Sequence, residues 1–119
     1  MDVEVVRRNN CVYVKGGAGR ILLTNERDLL DLISFCGEQD SNRLLLFAEN
    51  LPQLFFDLRS GEAGTVLQKF ANYHMKVAAV LQPSHIRGRF SEFVLETNRG
   101  SQFRIFHSPE DAERWLITD

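Results

Sequence analysis

Two unbroken apolar runs constrain the fold of this chain more than any other feature. They cover residues 43–49 (RLLLFAE) and 76–82 (KVAAVLQ). A strand with one face in water alternates apolar and polar side chains, whereas a strand covered on both faces stays apolar along its length. The two runs are therefore predicted to be interior strands of a largely parallel sheet.

Three further segments have the shorter, alternating pattern of strands nearer to solvent. Residues 3–8 and 11–15 are rich in β-branched side chains and are separated only by Asn9-Asn10, which predicts a β-hairpin. Residues 102–107 alternate, with Phe103 and Ile105 opposite Arg104 and Phe106, which predicts a less buried strand.

Four helices are predicted between and after these strands. The first, 26–36, has Asn25 as its cap, Gly37 as its stop and an apolar stripe of Leu29, Leu30, Ile33 and Cys36. The others are 61–73 capped by Ser60, 88–98, and a last helix that begins at Ser108-Pro109. The order β-β-α-β-α-β-α-β-α predicts one α/β domain over residues 1–119, with a single mixed sheet of four or five strands covered by helices.

Composition and charge exclude several function classes. A net charge of −2 and a pI near 5.9 argue against a bulk electrostatic grip on nucleic acid. No apolar run approaches the ~18 residues of a membrane span, and the N-terminus does not resemble a signal peptide. Cys11 and Cys36 lie inside predicted regular elements, which suggests a reducing compartment and a cytoplasmic location.

The histidines, the cysteines and the glycine cluster do not form a recognisable catalytic, metal-binding or phosphate-binding motif. His74, His85 and His107 have no metal-like spacing with one another or with either cysteine, so no metal site is predicted. The glycine cluster 16–19 fits neither a dinucleotide fingerprint nor a phosphate-binding P-loop, and we interpret it as a flexible connection. No cofactor is predicted.

The turn that leads into the second predicted helix collects the candidate site residues. In open α/β sheets, ligands bind beyond the carboxyl ends of parallel strands, where this turn should lie beside the end of the 43–49 strand. The candidate partner- or ligand-binding residues are Glu49, Asn50, Asp57, Arg59, Ser60, Gly61 and Gly64. A purely structural interpretation also fits, in which Ser60 is a helix cap, Asp57 bonds its own turn and the glycines allow close packing.

The same region carries a family resemblance. FFDL at 55–58, Ser60-Gly61, Ala63-Gly64, LQKF at 67–70 and Asn72-Tyr73 resemble a small family of uncharacterised bacterial single-domain proteins. The segment 96–100 (ETNRG) is similar to that family's second block. The family has no assigned activity, so this resemblance implies a fold and no mechanism.

A more distant resemblance is to STAS domains, the anti-sigma-factor antagonists, which share this order of elements and have Ser-Gly at the start of their second helix. It implies that Ser60 is phosphorylated by a partner kinase and switches protein binding. Some STAS-like relatives instead use an apolar groove for a lipid or other small ligand.

Two function classes follow. One is a regulatory module that presents the 57–64 turn to a protein partner; the other is a small-ligand or anion binder, or a minor enzyme with Asp57 as base, on the same rim. No paired acid, base and nucleophile is evident, which disfavours the enzyme. A deep pocket would favour the ligand class.

A homodimer is also predicted. The adjacent Phe55 and Phe56 cannot both face one core if their segment is extended, and Leu51 and Leu54 add to the apolar surplus. Apolar surface in excess of what a core can bury often marks an interface.

Overall fold

Five strands form one mixed sheet in the computed structural model, which describes residues 1–118. The strands lie in chain order across the sheet, with β1 antiparallel to β2 and every other pair parallel. Their bounds are β1 Val3–Arg8, β2 Cys11–Gly16, β3 Arg43–Phe47, β4 Lys76–Val80 and β5 Phe103–Phe106. The interior positions predicted for the two apolar runs are confirmed, because β3 and β4 each have a strand on either side.

The predicted hairpin is confirmed as well. β1 and β2 are joined by Asn9 and Asn10, whose φ angles of 51° and 63° are in the left-handed region. A two-residue hairpin turn with both residues in this region has a twist that matches the strands, and asparagine tolerates it better than most residues.

Four helices complete the α/β fold, as predicted. Their bounds are α1 Glu26–Glu38, α2 Glu62–Asn72, α3 Arg89–Thr97 and α4 Pro109–Leu116. The first three each connect neighbouring parallel strands, and because the strands are added in one direction, right-handed crossovers place all three helices on one face. α4 follows the last strand and packs on the opposite face. Within residues 1–118, no helix is long and apolar enough to cross a membrane.

The apolar runs of β3 and β4 are unbroken because helices cover both faces of the sheet. Leu44 and Leu46 of β3 face the larger core beneath α1, α2 and α3, whereas Leu45 faces the smaller core beneath α4. The smaller core also contains Tyr13 and Leu116.

Two helix boundaries differ from the prediction. α1 continues through Gly37 to Glu38, and the left-handed residue that follows it is Asp40, with φ of 53°. Its buried stripe includes Leu32 rather than Leu30. α2 begins at Glu62 with Gly61 as its N-cap, so the assignment of Ser60 as the cap is wrong. Ser60 instead ends a short 3₁₀ turn.

The segment between β3 and α2 is folded as three 3₁₀ turns, Ala48–Asn50, Gln53–Phe56 and Leu58–Ser60. Because the middle turn is helical rather than extended, Phe55 is fully buried while Phe56 packs beside it, with ring centroids 5.6 Å apart. Leu51 is also buried. Most of the apolar side chains that were predicted to exceed what the core could bury are therefore buried. Leu54 is the one of the four that stays exposed.

Candidate functional site

The carboxyl ends of β3 and β4 and the start of α2 meet at one edge of the molecule, which we call the rim. The chain leaves β3 there through Ala48–Asn50, crosses the edge as the 3₁₀ turns, and enters α2 at Glu62. The rim is the place where ligands bind in open α/β sheets.

The turn of residues 57–61 is fixed in shape from within. Asp57 Oδ1 accepts a hydrogen bond from the Arg59 N–H at 3.1 Å. The Ser60 hydroxyl lies 2.8 Å from the Leu54 carbonyl oxygen and 2.7 Å from that of Asp57, and its Oγ accepts from the Glu62 N–H at 3.1 Å. Gly61 has φ of 77°, which a side chain would strain. The turn therefore presents exposed side chains on a backbone that is held in place.

Asn50 lies beneath the rim rather than on it. Its side chain is 0% exposed. Asn50 Oδ1 accepts from the Phe47 N–H at 2.7 Å, and Nδ2 donates to the carbonyl oxygens of Gly17 and Arg20 at 2.9 and 2.7 Å. A Cβ on Gly16 would overlap the Asn50 side chain. The loop that contains the glycine cluster is therefore held by hydrogen bonds to Asn50. It is not the flexible connection that was expected.

An apolar groove of about 720 Å³ lies on one side of the turn. We define it by the apolar residues Ile21, Leu23, Leu51, Leu54 and Phe56, with Glu49 and Glu62 on its lining. Ile21 is 75% exposed and Leu54 56% exposed, so the groove has uncovered apolar walls.

A second concavity, the arginine pocket, lies on the other side of the turn. It has a volume of about 440 Å³ and is lined by Phe56, Asp57, Leu58, Arg59, Arg87, Arg89 and Phe90. Arg87 and Arg89 flank Gly88, the N-cap of α3, whose φ is 53°. Sequence reasoning missed both arginines, although the triplet Arg87-Gly88-Arg89 was a visible signal at a helix start.

Gly64 lies on a third surface, a groove of about 460 Å³ between α2 and the segment 96–103. Apart from its chain neighbours and the backbone of its own helix, no described heavy atom lies within 4 Å of the position where a Cβ on Gly64 would stand. The close packing considered for this glycine is therefore absent within residues 1–118.

The candidate residues thus surround the turn without forming one site. Glu49 lines the apolar groove, Asp57 and Arg59 line the arginine pocket, and Gly64 lines the third groove. Ser60 and Gly61 form the exposed turn between them.

The side-chain hydrogen bonds of the turn and of His85 are made with backbone groups. The Ser60 hydroxyl donates to backbone carbonyls and not to a basic side chain. His85 Nδ1 accepts from the Gln82 N–H, and its ring stacks on Phe56 at 5.2 Å. In the part of the chain that the structure describes, no three His, Cys, Asp or Glu side chains are grouped to hold a metal ion.

Comparison with known proteins gives one match. A family model described as a domain of unknown function, DUF4180, matches residues 8–116. The match runs from the last residue of β1 to the last residue of α4, so it includes the whole rim. No curated protein and no solved structure matches the chain.

Proposed function

The chain belongs to the DUF4180 family, a domain of unknown function, and we propose that it is a non-enzymatic regulatory binding module, a single STAS-like cytoplasmic domain over residues 1–119. Its working surface is the 57–64 turn, presented to a protein partner. The order of elements is the one that the STAS resemblance implies.

Gly64 is the observation that carries this proposal. A glycine inside a helix costs about 1 kcal/mol relative to alanine. At Gly64 the space for a methyl group is empty, so the described chain gains no packing from its absence. A bare first turn of α2 becomes useful if another molecule's backbone approaches it. The adjacent turn is exposed and fixed from within, so it needs little ordering on binding.

The chemistry of the surface indicates the kind of partner. Leu54 and Ile21 offer apolar contacts beside the turn, while Glu49 and Glu62 make the same side acidic. A partner with apolar and basic side chains would complement it. A second copy of the chain also qualifies, because the arginine pocket on the other side of the turn supplies the opposite charge. A homodimer is therefore one form of this proposal.

Phosphorylation of Ser60 would act on the turn itself. Its hydroxyl is within hydrogen-bonding distance of two carbonyl oxygens, and a phosphate cannot donate to them as the hydroxyl does. The carbonyl oxygens of Leu54 and Asp57 would repel the added negative charge. The modified turn would open and the surface presented to a partner would change shape, which is the behaviour of a switch.

A second candidate is a binder of a lipid or other small apolar ligand. It is favoured by the apolar groove, whose volume of about 720 Å³ lies within the ~300–1,000 Å³ of ordinary ligand sites. Native mass spectrometry of protein purified from its host separates the two candidates: a retained small molecule supports the ligand binder and its absence supports the protein partner.

The test compares two exposed leucines. Leu54→Asp places a charge beside the turn, and Leu95→Asp places the same charge on the outer side of α3, where Leu95 is 69% exposed. Sedimentation velocity and quantitative cross-linking in host extract measure self-association and partner recovery. We expect Leu54→Asp to lose the partner or the second copy and Leu95→Asp to retain it, with unchanged circular dichroism for both.

A Ser60 series extends the test. Ser60→Asp should lose the partner because its carboxylate opposes the two carbonyl oxygens, whereas Ser60→Thr should keep the turn and the partner. If neither Leu54→Asp nor Ser60→Asp alters partner recovery, the turn is not the binding surface and the proposal is wrong.

A further inference from the structure

The arginine pocket concentrates positive charge without an internal counterion. In residues 1–118, no carboxylate lies within 4.0 Å of a side-chain nitrogen of Arg59, Arg87 or Arg89. Other arginines of the chain do have such partners, as in the pairs Arg99–Glu96 at 3.7 Å and Arg114–Asp111 at 3.0 Å. Three like charges around one concavity repel one another, so an external anion would stabilise the arrangement.

Asp57 does not fill that role. It is the one acidic residue that lines the pocket, and its Oδ1 already accepts a hydrogen bond from the Arg59 backbone N–H at 3.1 Å. Three arginines therefore line the pocket with one carboxylate, which is hydrogen-bonded to a backbone N–H. The pocket keeps a net positive charge.

The shape and chemistry of the pocket select one class of anion. A guanidinium group presents a planar fork of N–H donors that matches the oxygens of a phosphoryl group. Phe56, half-buried, adds an aromatic wall to the same pocket and is backed by the buried Phe90, with ring centroids 5.5 Å apart. A volume of about 440 Å³ is large enough for a phosphoryl group together with a small apolar substituent.

We propose that the arginine pocket binds a small phosphate monoester, with Arg59, Arg87 and Arg89 around the phosphoryl oxygens and Phe56, backed by Phe90, against the ester group. The proposal does not rest on the protein-binding role of the turn, because the pocket is complete within one chain. It assigns the pocket a ligand of its own.

The experiment titrates phenyl phosphate and inorganic phosphate separately into the full chain, labelled with ¹⁵N, at an ionic strength of about 0.1 M, where charges more than about 10 Å apart are largely screened. We expect phenyl phosphate to shift the backbone amide signals of residues 56–59 and 87–90 and to bind more tightly than inorganic phosphate. The double variant Arg87→Gln/Arg89→Gln should weaken its binding by about tenfold for each lost charge-assisted contact.

The matched control is Arg99→Gln/Arg114→Gln, which removes the same charge outside the pocket and should leave the affinity within about twofold. Equal weakening by both double variants would show attraction to net charge alone and would overturn the proposal. Signal shifts outside residues 56–59 and 87–90 would also overturn the proposal. Equal affinity for phenyl phosphate and inorganic phosphate would do the same, because the aromatic wall would then contribute nothing to binding. If the pocket variant fails to fold, the map of shifted signals in the unmodified chain decides.

Discussion

At the scale of single residues, Asn50 shows how one side chain can hold a rim in place. Its three side-chain hydrogen bonds join the end of β3 to the loop that follows β2, and its backbone carbonyl accepts from the Leu23 N–H at 3.0 Å. The loop carrying Ile21 is thus tied to the floor of the apolar groove. Asn50 therefore positions the apolar groove without being exposed in it.

The Asn50→Ala substitution should therefore be costly. It leaves the Phe47 N–H and the carbonyls of Gly17 and Arg20 without their buried partner, and we expect the free energy of unfolding to fall by about 3 kcal/mol. Asn42→Ala is the control, because exposed Asn42 makes one side-chain hydrogen bond, to the His74 carbonyl at 3.0 Å, and should cost about 1 kcal/mol or less. Urea unfolding measures both, and equal losses would contradict the role assigned to Asn50.

At the scale of elements, the start of α2 contains two glycines with different roles. Gly61 has φ of 77°, so Gly61→Ala should lower the free energy of unfolding by about 1 kcal/mol. Gly64 lies inside the helix with free space around it, so Gly64→Ala should raise that free energy by about 0.5–1 kcal/mol. Thermal unfolding of the two variants checks the signs. A destabilising Gly64→Ala would mean that Gly64 serves the fold, and the argument for a bare binding surface would fail.

The elements also show what the sequence allows one to predict. β3 and β4 are predictable because a short unbroken apolar run between polar segments fits a strand covered on both faces and is too short for an ordinary helix. The three 3₁₀ turns between β3 and α2 are not, since a turn of three or four residues has no repeating pattern. That omission explains why Phe55 and Phe56 were expected to compete for one core and instead pack together.

The candidate site is predictable only as an edge of the sheet. The carboxyl end of β3 and the 57–61 turn could be placed there from the order of elements. The burial of Asn50 depends on where the loop after β2 lies, and the proximity of Arg59 to Arg87 and Arg89 depends on contact between distant segments. Neither leaves a local pattern in the sequence.

At the scale of the whole molecule, two cores of unequal size share the sheet. On the smaller side, α4 is held at its C-terminal end by cations from two strands: Arg43 donates to the Leu116 carbonyl at 2.7 Å and Lys76 Nζ to that of Trp115 at 2.9 Å. Cations at a helix C-terminus bind carbonyls that the helix leaves unpaired and complement its dipole. Each core also buries an ionisable group, Cys36 in the larger and Tyr13 in the smaller.

These buried groups predict a loss of stability in alkali. Burial raises the pKa of the Cys36 thiol to about 12. Burial, together with a hydrogen bond to Glu113, raises the pKa of the Tyr13 phenol above its ordinary value. The folded chain therefore keeps these protons at a pH where the unfolded chain releases them, and the free energy of unfolding should fall as the pH rises above about 8.5.

For Cys36 the slope approaches about 1.4 kcal/mol per pH unit once the unfolded thiol is ionised. Urea unfolding between pH 8 and about 10.5 measures it, and Cys36→Ala should flatten that slope whatever it does to stability at neutral pH. Cys11→Ala, which removes the other and only partly buried thiol, is the matched control variant. An unchanged slope in Cys36→Ala would mean that Cys36 ionises as readily in the folded chain as in the unfolded one, and that the larger core is open to hydroxide.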